Sequence, residues 1–134
     1  MRNRLFVFFL SLSVILLALT GAQAASNLPP QSSREGGVAV QVTPRLVSGS
    51  TWEFEISINT HSGDLSDDLE KAVVLVADAG TSYTPVAWEG APPGGHHRKG
   101  VLRFKAVTPQ PQAIELKLQR PGEPTPRSFR WQLK

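Results

Sequence analysis

The chain has 134 residues, no cysteine, and 14 Lys+Arg against 11 Asp+Glu for a formal charge of +3. That length holds one ordinary domain, and the lack of cysteine excludes disulfides, thiolate metal sites, iron–sulfur clusters, a cysteine nucleophile and a lipid-modified N-terminal cysteine. Gly and Pro number 11 each, a turn-rich composition that argues against a helical bundle.

Residues 1–24 read as a secretory signal peptide. Arg2 and Arg4 form a positive n-region, Leu5 to Leu19 is apolar apart from Ser11 and Ser13, and Ala22-Gln23-Ala24 is an A-x-A cleavage pattern. The apolar run of 15 residues is short for a membrane span, which takes about 20. Cleavage is expected after Ala24 or Ala25, with periplasmic or extracellular delivery. The membrane would be a partner only through an uncleaved leader. Without Arg2 and Arg4 the balance is 12 basic to 11 acidic residues, a net charge of +1. A nucleic-acid partner is therefore not expected, because phosphate binding needs a clustered excess of Lys and Arg.

Residues 25–37 are polar and rich in Pro and Ser, and read as a flexible linker. From residue 38 to 134 the period-2 signal dominates. Val38, Val40 and Val42 alternate with polar or small residues, and Trp52, Phe54, Ile56 and Ile58 alternate with Glu53, Glu55, Ser57 and Asn59. Successive strand side chains point to opposite faces, so each apolar set marks one buried face. A short helix is expected at 66–70, with Ser66 as N-cap ahead of acidic residues. Residues 72–77 form a continuous apolar strand. Val86 with Trp88, then Leu102-Phe104-Ala106, Ile114-Leu116-Leu118 and Phe129-Trp131-Leu133 complete the pattern. Seven short strands in one domain predict an all-β fold, a seven-stranded antiparallel immunoglobulin-like β-sandwich, with a small β-barrel as the alternative.

The chemistry-bearing residues gather in two glycine-marked segments. One is Thr60-His61-Ser62-Gly63-Asp64-Leu65, and the other runs from Gly90 through Pro92-Pro93-Gly94-Gly95-His96-His97-Arg98 to Gly100. All three histidines of the chain lie here. Neutral imidazole suits copper and zinc, so His61, His96 and His97 with Asp64 are candidate metal ligands if the loops meet. Trp88, Glu89 and Arg98, at the mouth of the second segment, are candidate contacts for a ligand or another envelope protein. The competing reading is that these segments fasten two long connections, with Arg98 and Lys99 in a solvated turn. The acidic residues 64–70 lack the twelve-residue calcium pattern. His61, Ser62 and Asp64 are too close in sequence for a relay, and no nucleophile elbow is present, so no enzyme activity is expected.

The motifs Thr60-His61-Ser62-Gly63-Asp64-Leu65, Trp88-Glu89-Gly90, Gly94-Gly95-His96-His97, Gly100-Val101-Leu102-Arg103-Phe104 and Phe129-Arg130-Trp131-Gln132-Leu133 resemble a pattern in small exported bacterial proteins of uncharacterised function. The resemblance implies an exported β-domain and makes both histidine segments part of a family pattern. It implies no activity.

Overall fold

The computed structural model describes residues 25–134, so the leader at 1–24 lies outside the described residues. The described chain is all-β with one short helix. Its elements are β1 (Gln31–Glu35), β2 (Val38–Leu46), β3 (Thr51–Thr60), α1 (Leu69–Ala72), β4 (Val73–Ala77), β5 (Thr81–Tyr83), β6 (Ala87–Gly90), β7 (His97–Lys105), β8 (Ala113–Leu118) and β9 (Arg127–Gln132). They form a five-stranded sheet in the order β1-β2-β3-β7-β6 and a four-stranded sheet in the order β5-β4-β8-β9. Every paired strand is antiparallel, and neither sheet closes into a barrel.

The alternation read from the sequence is what builds the core. Val38, Val40 and Val42 on β2, and Trp52, Phe54, Ile56 and Ile58 on β3, are buried and face Leu75, Leu116, Phe129 and Trp131 of the other sheet. Phe54 sits between the layers, edge-on to Phe104 at 5.6 Å between ring centroids and tilted against Trp131 at 6.0 Å. Such aromatic contacts add to plain burial through ring-edge electrostatics.

Four details differ from the sequence expectation. The 25–37 segment is not a free linker. Residues 31–35 form edge strand β1, turned onto β2 through Gly36 and Gly37 at φ +54° and +78°. Two consecutive left-handed residues suit a tight two-residue hairpin turn, and only glycine adopts them without strain. Upstream of β1, the Trp131 indole N–H donates to the Pro29 carbonyl at 2.7 Å, which ties the lead-in to the core.

Second, β5 adds a short strand, so the described residues hold nine strands rather than seven. Third, α1 starts at Leu69 with Asp68 at the N-cap position and no side-chain cap bond, and Ala72 ends it. Fourth, β7 begins at His97, five residues before the apolar run that predicted it. Its inner face therefore carries Arg98, Gly100, Leu102 and Phe104, which pair with Ile58, Ile56, Phe54 and Trp52.

Candidate functional site

Both histidine segments lie at one end of the two sheets, together with the β1–β2 turn, the 61–68 connection and the β8–β9 connection. The two segments meet, and they do so through the backbone. Thr60 N–H donates to the His96 carbonyl at 2.9 Å, Leu65 N–H to the Gly95 carbonyl at 3.0 Å, and Gly94 N–H to the Leu65 carbonyl at 2.9 Å. The Thr60 hydroxyl, buried, donates to the Ser62 carbonyl at 2.7 Å.

The histidine side chains themselves all face solvent. His61 and His96 are exposed in their loops, as is Asp64. His97 is on β7 rather than in a loop, on the outer face, with its Nδ1 at 2.6 Å from the Asn59 Oδ1. Asn59 and His97 are direct cross-strand partners, so register alone brings them together. Among the described residues no group of three or more His, Cys, Asp or Glu side chains is arranged to hold a metal ion.

The residue that joins the segments is Arg98. The sequence reading placed it in a solvated turn as a partner contact, yet it is only 2% exposed. Its Nη1 donates to the carbonyls of Asp67 at 2.6 Å and Leu65 at 3.3 Å, and Nε and Nη2 both donate to Ala91 at 3.4 and 3.3 Å. The guanidinium carbon lies 5.7 Å from the centre of the Trp88 ring. Burial pulls the Arg98 pKa down, and the charges of Asp67 and Asp68 oppose that. Arginine keeps its charge under such conditions, and its planar fork supplies five donors, enough to serve three carbonyls.

Two further buried groups complete the fastening. Asp67 is 2% exposed and takes two parallel bonds from Arg120, at 2.9 and 3.0 Å. Arg127, also 2% exposed, takes Glu123 in a fork at 2.9 and 2.7 Å. Its remaining donors reach the carbonyls of Val38 at 2.9 Å, Glu35 at 3.0 Å and Ser33 at 3.3 Å. Arg98, Arg120 and Arg127 thus knit four connections into one polar cap, and no buried side-chain nitrogen or oxygen among the described residues lacks a partner. Sequence reasoning named Arg98 only as a solvent-facing contact and missed Arg120 and Arg127. The available signal was strand parity: Arg127 stands two and four residues before Phe129 and Trp131 on the same face, as Arg98 does before Gly100 and Leu102.

The Arg127 hydrogen bonds hold the Glu123 carboxyl below its ordinary 4.5. A carboxyl lowered in the folded state contributes stability that is complete above its unfolded value and is lost as pH falls through the folded one. Stability is therefore expected to fall as pH drops below about 4.5, and Glu123→Gln should flatten that slope. Urea unfolding repeated through the acid range reads both curves. Parallel slopes for the two proteins would remove Glu123 as a contributor.

Trp88 and Glu89 are accounted for by neighbours of their own. The Trp88 indole N–H donates to the Ala91 carbonyl at 3.0 Å, and its backbone N–H donates to Glu70 at 2.9 Å. The second bond covers a backbone donor on β6, the edge strand of its sheet. The Trp88 ring lies against the paired glycines Gly90 and Gly100, where a Cβ on Gly100 would meet its Cζ2 at 2.7 Å. Glu89 is exposed on the outer face and pairs with Arg103, which also holds Glu53 at 2.9 Å. No helix among the described residues is long and apolar enough to cross a membrane. No protein-family model matches the chain, and neither the curated proteins nor the solved structures give a significant match.

Proposed function

We propose that the chain is an exported, non-enzymatic domain of the cell envelope, immunoglobulin-like in its topology, that works by binding rather than by turnover. The strand order supports the topology. The run β2-β3-β7-β6 has the A-B-E-D order of immunoglobulin sandwiches, and β5-β4-β8-β9 has the order C′-C-F-G, with β1 added outside. The signal-like residues 1–24 support export, and the resemblance to small exported β-domains agrees with it.

The observation that carries the functional reading is the buried Arg98, with its bonds to Leu65, Asp67 and Ala91. In the immunoglobulin order these carbonyls belong to the B–C and D–E connections, at the end where variable domains carry their binding loops. Here that end is tied shut, which favours loop-fastening over a shared copper or zinc site for the histidine segments. The surface left for a partner is then a sheet face.

Two measurements test this. The intact mass of the exported protein should correspond to a chain beginning after Ala24 or Ala25; a mass that retains the leader would overturn processing and delivery in this form. Copper or zinc added to the mature domain should leave its unfolding midpoint unchanged. A stabilisation that disappears in both His61→Ala and His96→Ala would replace the loop-fastening reading with a metal site.

A further inference from the structure

From Ser26 onward the lead-in is docked on the domain. The Ser26 N–H donates to the carbonyl of Arg45 on β2 at 2.7 Å, and the Ser26 hydroxyl accepts from the Leu28 N–H at 3.1 Å. The Leu28 side chain packs against the core. The Pro29 carbonyl takes the indole N–H of the buried Trp131, and the Gln31 amide covers both the N–H and the carbonyl of Arg130, as a neighbouring strand would. Arg45 belongs to the five-stranded sheet, whereas Arg130 and Trp131 lie on β9, an edge of the four-stranded one. Residues 26–31 therefore clasp the two sheets together.

The bond expected to be cut after Ala22-Gln23-Ala24 is next to this fixed point. Cleavage after Ala24 leaves only Ala25 between the bond and Ser26, and cleavage after Ala25 leaves nothing. An extended residue spans at most about 3.6 Å, so the bond lies within about 7 Å of the first docked atom. A peptidase draws residues on both sides of the bond into its cleft, and cutting concentrates where the backbone is unconstrained. Here the residues on the product side are held. Releasing them strips the Trp131 indole N–H of its partner and opens the β9 edge at Arg130. A buried donor left unpaired opposes that opening.

We propose that removal of the leader has to precede docking of residues 26–31, so that a domain that folds first keeps its leader. The partner is a membrane-bound peptidase that reads the small residues Ala22 and Ala24. The proposal rests on reading residues 1–24 as a cleaved leader. Hydrolysis adds water across the bond, leaving a carboxylate on the leader and an amine on Ala25 or Ser26. Either cut spares every docked group, because a Ser26 ammonium still donates to the Arg45 carbonyl. The finished fold is thus indifferent to the cut, and only the order of events decides whether the leader comes off. Cutting after folding would have to wait for local opening of the lead-in.

The test follows leader removal by intact mass, with the full chain folded in detergent micelles before a purified signal peptidase is added. The folded chain should be cut at least about tenfold more slowly than a variant with a flexible Gly-Ser spacer of about ten residues between Ala25 and Ser26. Phe54→Asp puts a charge in the core and keeps the chain unfolded, which circular dichroism checks; it should be cut as fast as the spacer variant. Gln31→Ala frees the β9 edge and should speed cutting of the folded chain severalfold. Equal rates for the folded chain and the spacer variant would overturn the fixed order. Resistance of the spacer variant while Phe54→Asp is cut would overturn it too, because docking of residues 26–31 is then not the obstacle. If neither control is cut, the leader reading itself fails and the proposal falls with it, so the two failures are told apart.

Discussion

Arg98→Ala is expected to lower the unfolding free energy by about 3–4 kcal/mol, the larger of the two strongest effects. The figure follows from what each carbonyl has left. Leu65 keeps the N–H of Gly94, and Ala91 keeps the indole N–H of Trp88. Asp67 loses the bond at 2.6 Å that Arg98 supplies to its carbonyl, and an unsatisfied buried acceptor costs about 1–3 kcal/mol. The removed stem also leaves a void under Trp88, whose ring loses the cation beside it. Arg98→Lys should recover part of the loss, because an ammonium keeps the charge but cannot span carbonyls from both connections. Urea unfolding of the mature domain measures the global effect. Amide exchange at Leu65 and Gly94 reports the local one, since those bonds close the seam that Arg98 spans. A loss below about 1 kcal/mol would mean that the backbone bonds alone hold the two connections together.

Gly100→Ala should cost about 3 kcal/mol, at the upper end of what a single added methyl does in a packed site. The reason is the close approach of β6 and β7 at the Gly90–Gly100 pair. A Cβ on Gly100 would stand 2.6 Å from the Glu89 carbonyl oxygen, 2.7 Å from the Gly90 Cα and 2.7 Å from Trp88. The first two are backbone atoms, so no rotamer change relieves them. The edge strand must move, and the Glu70 bond to the Trp88 N–H moves with it. Trp88 fluorescence should change along with stability, and Gly100→Ala combined with Trp88→Ala should recover little. Full recovery in that double variant would show that the indole, not the strand spacing, sets the demand for glycine.

Both predictions concern residues whose importance was only partly readable along the chain. The Trp52-Phe54-Ile56-Ile58 alternation is a local signal, because the face a strand side chain takes depends on parity alone. It predicted the buried face of β3, and the same logic held for Phe129 and Trp131 on β9. Strand ends were less legible. The 97–101 stretch of β7 carries His, Arg, Lys and Gly, residues that read as a turn, and it is a strand because Ile58 and Asn59 across the sheet supply its hydrogen-bonding partners. The 31–35 stretch is likewise a strand through its pairing with β2, not through any apolar pattern of its own.

The sequence by itself determined the β class, the inner faces, and the gathering of all three histidines into two segments. Each of these depends on neighbours a few residues away. Only the tertiary structure decided which side chains those segments turn inward. Whether an arginine lies in water or under a cap depends on carbonyls that reach it from distant parts of the chain, as Leu65 and Asp67 reach Arg98, or Val38 reaches Arg127. Periodicity fixes the side of a strand, but the polar partners that make burial of a charge tolerable come from long-range contacts, and those have no local signature.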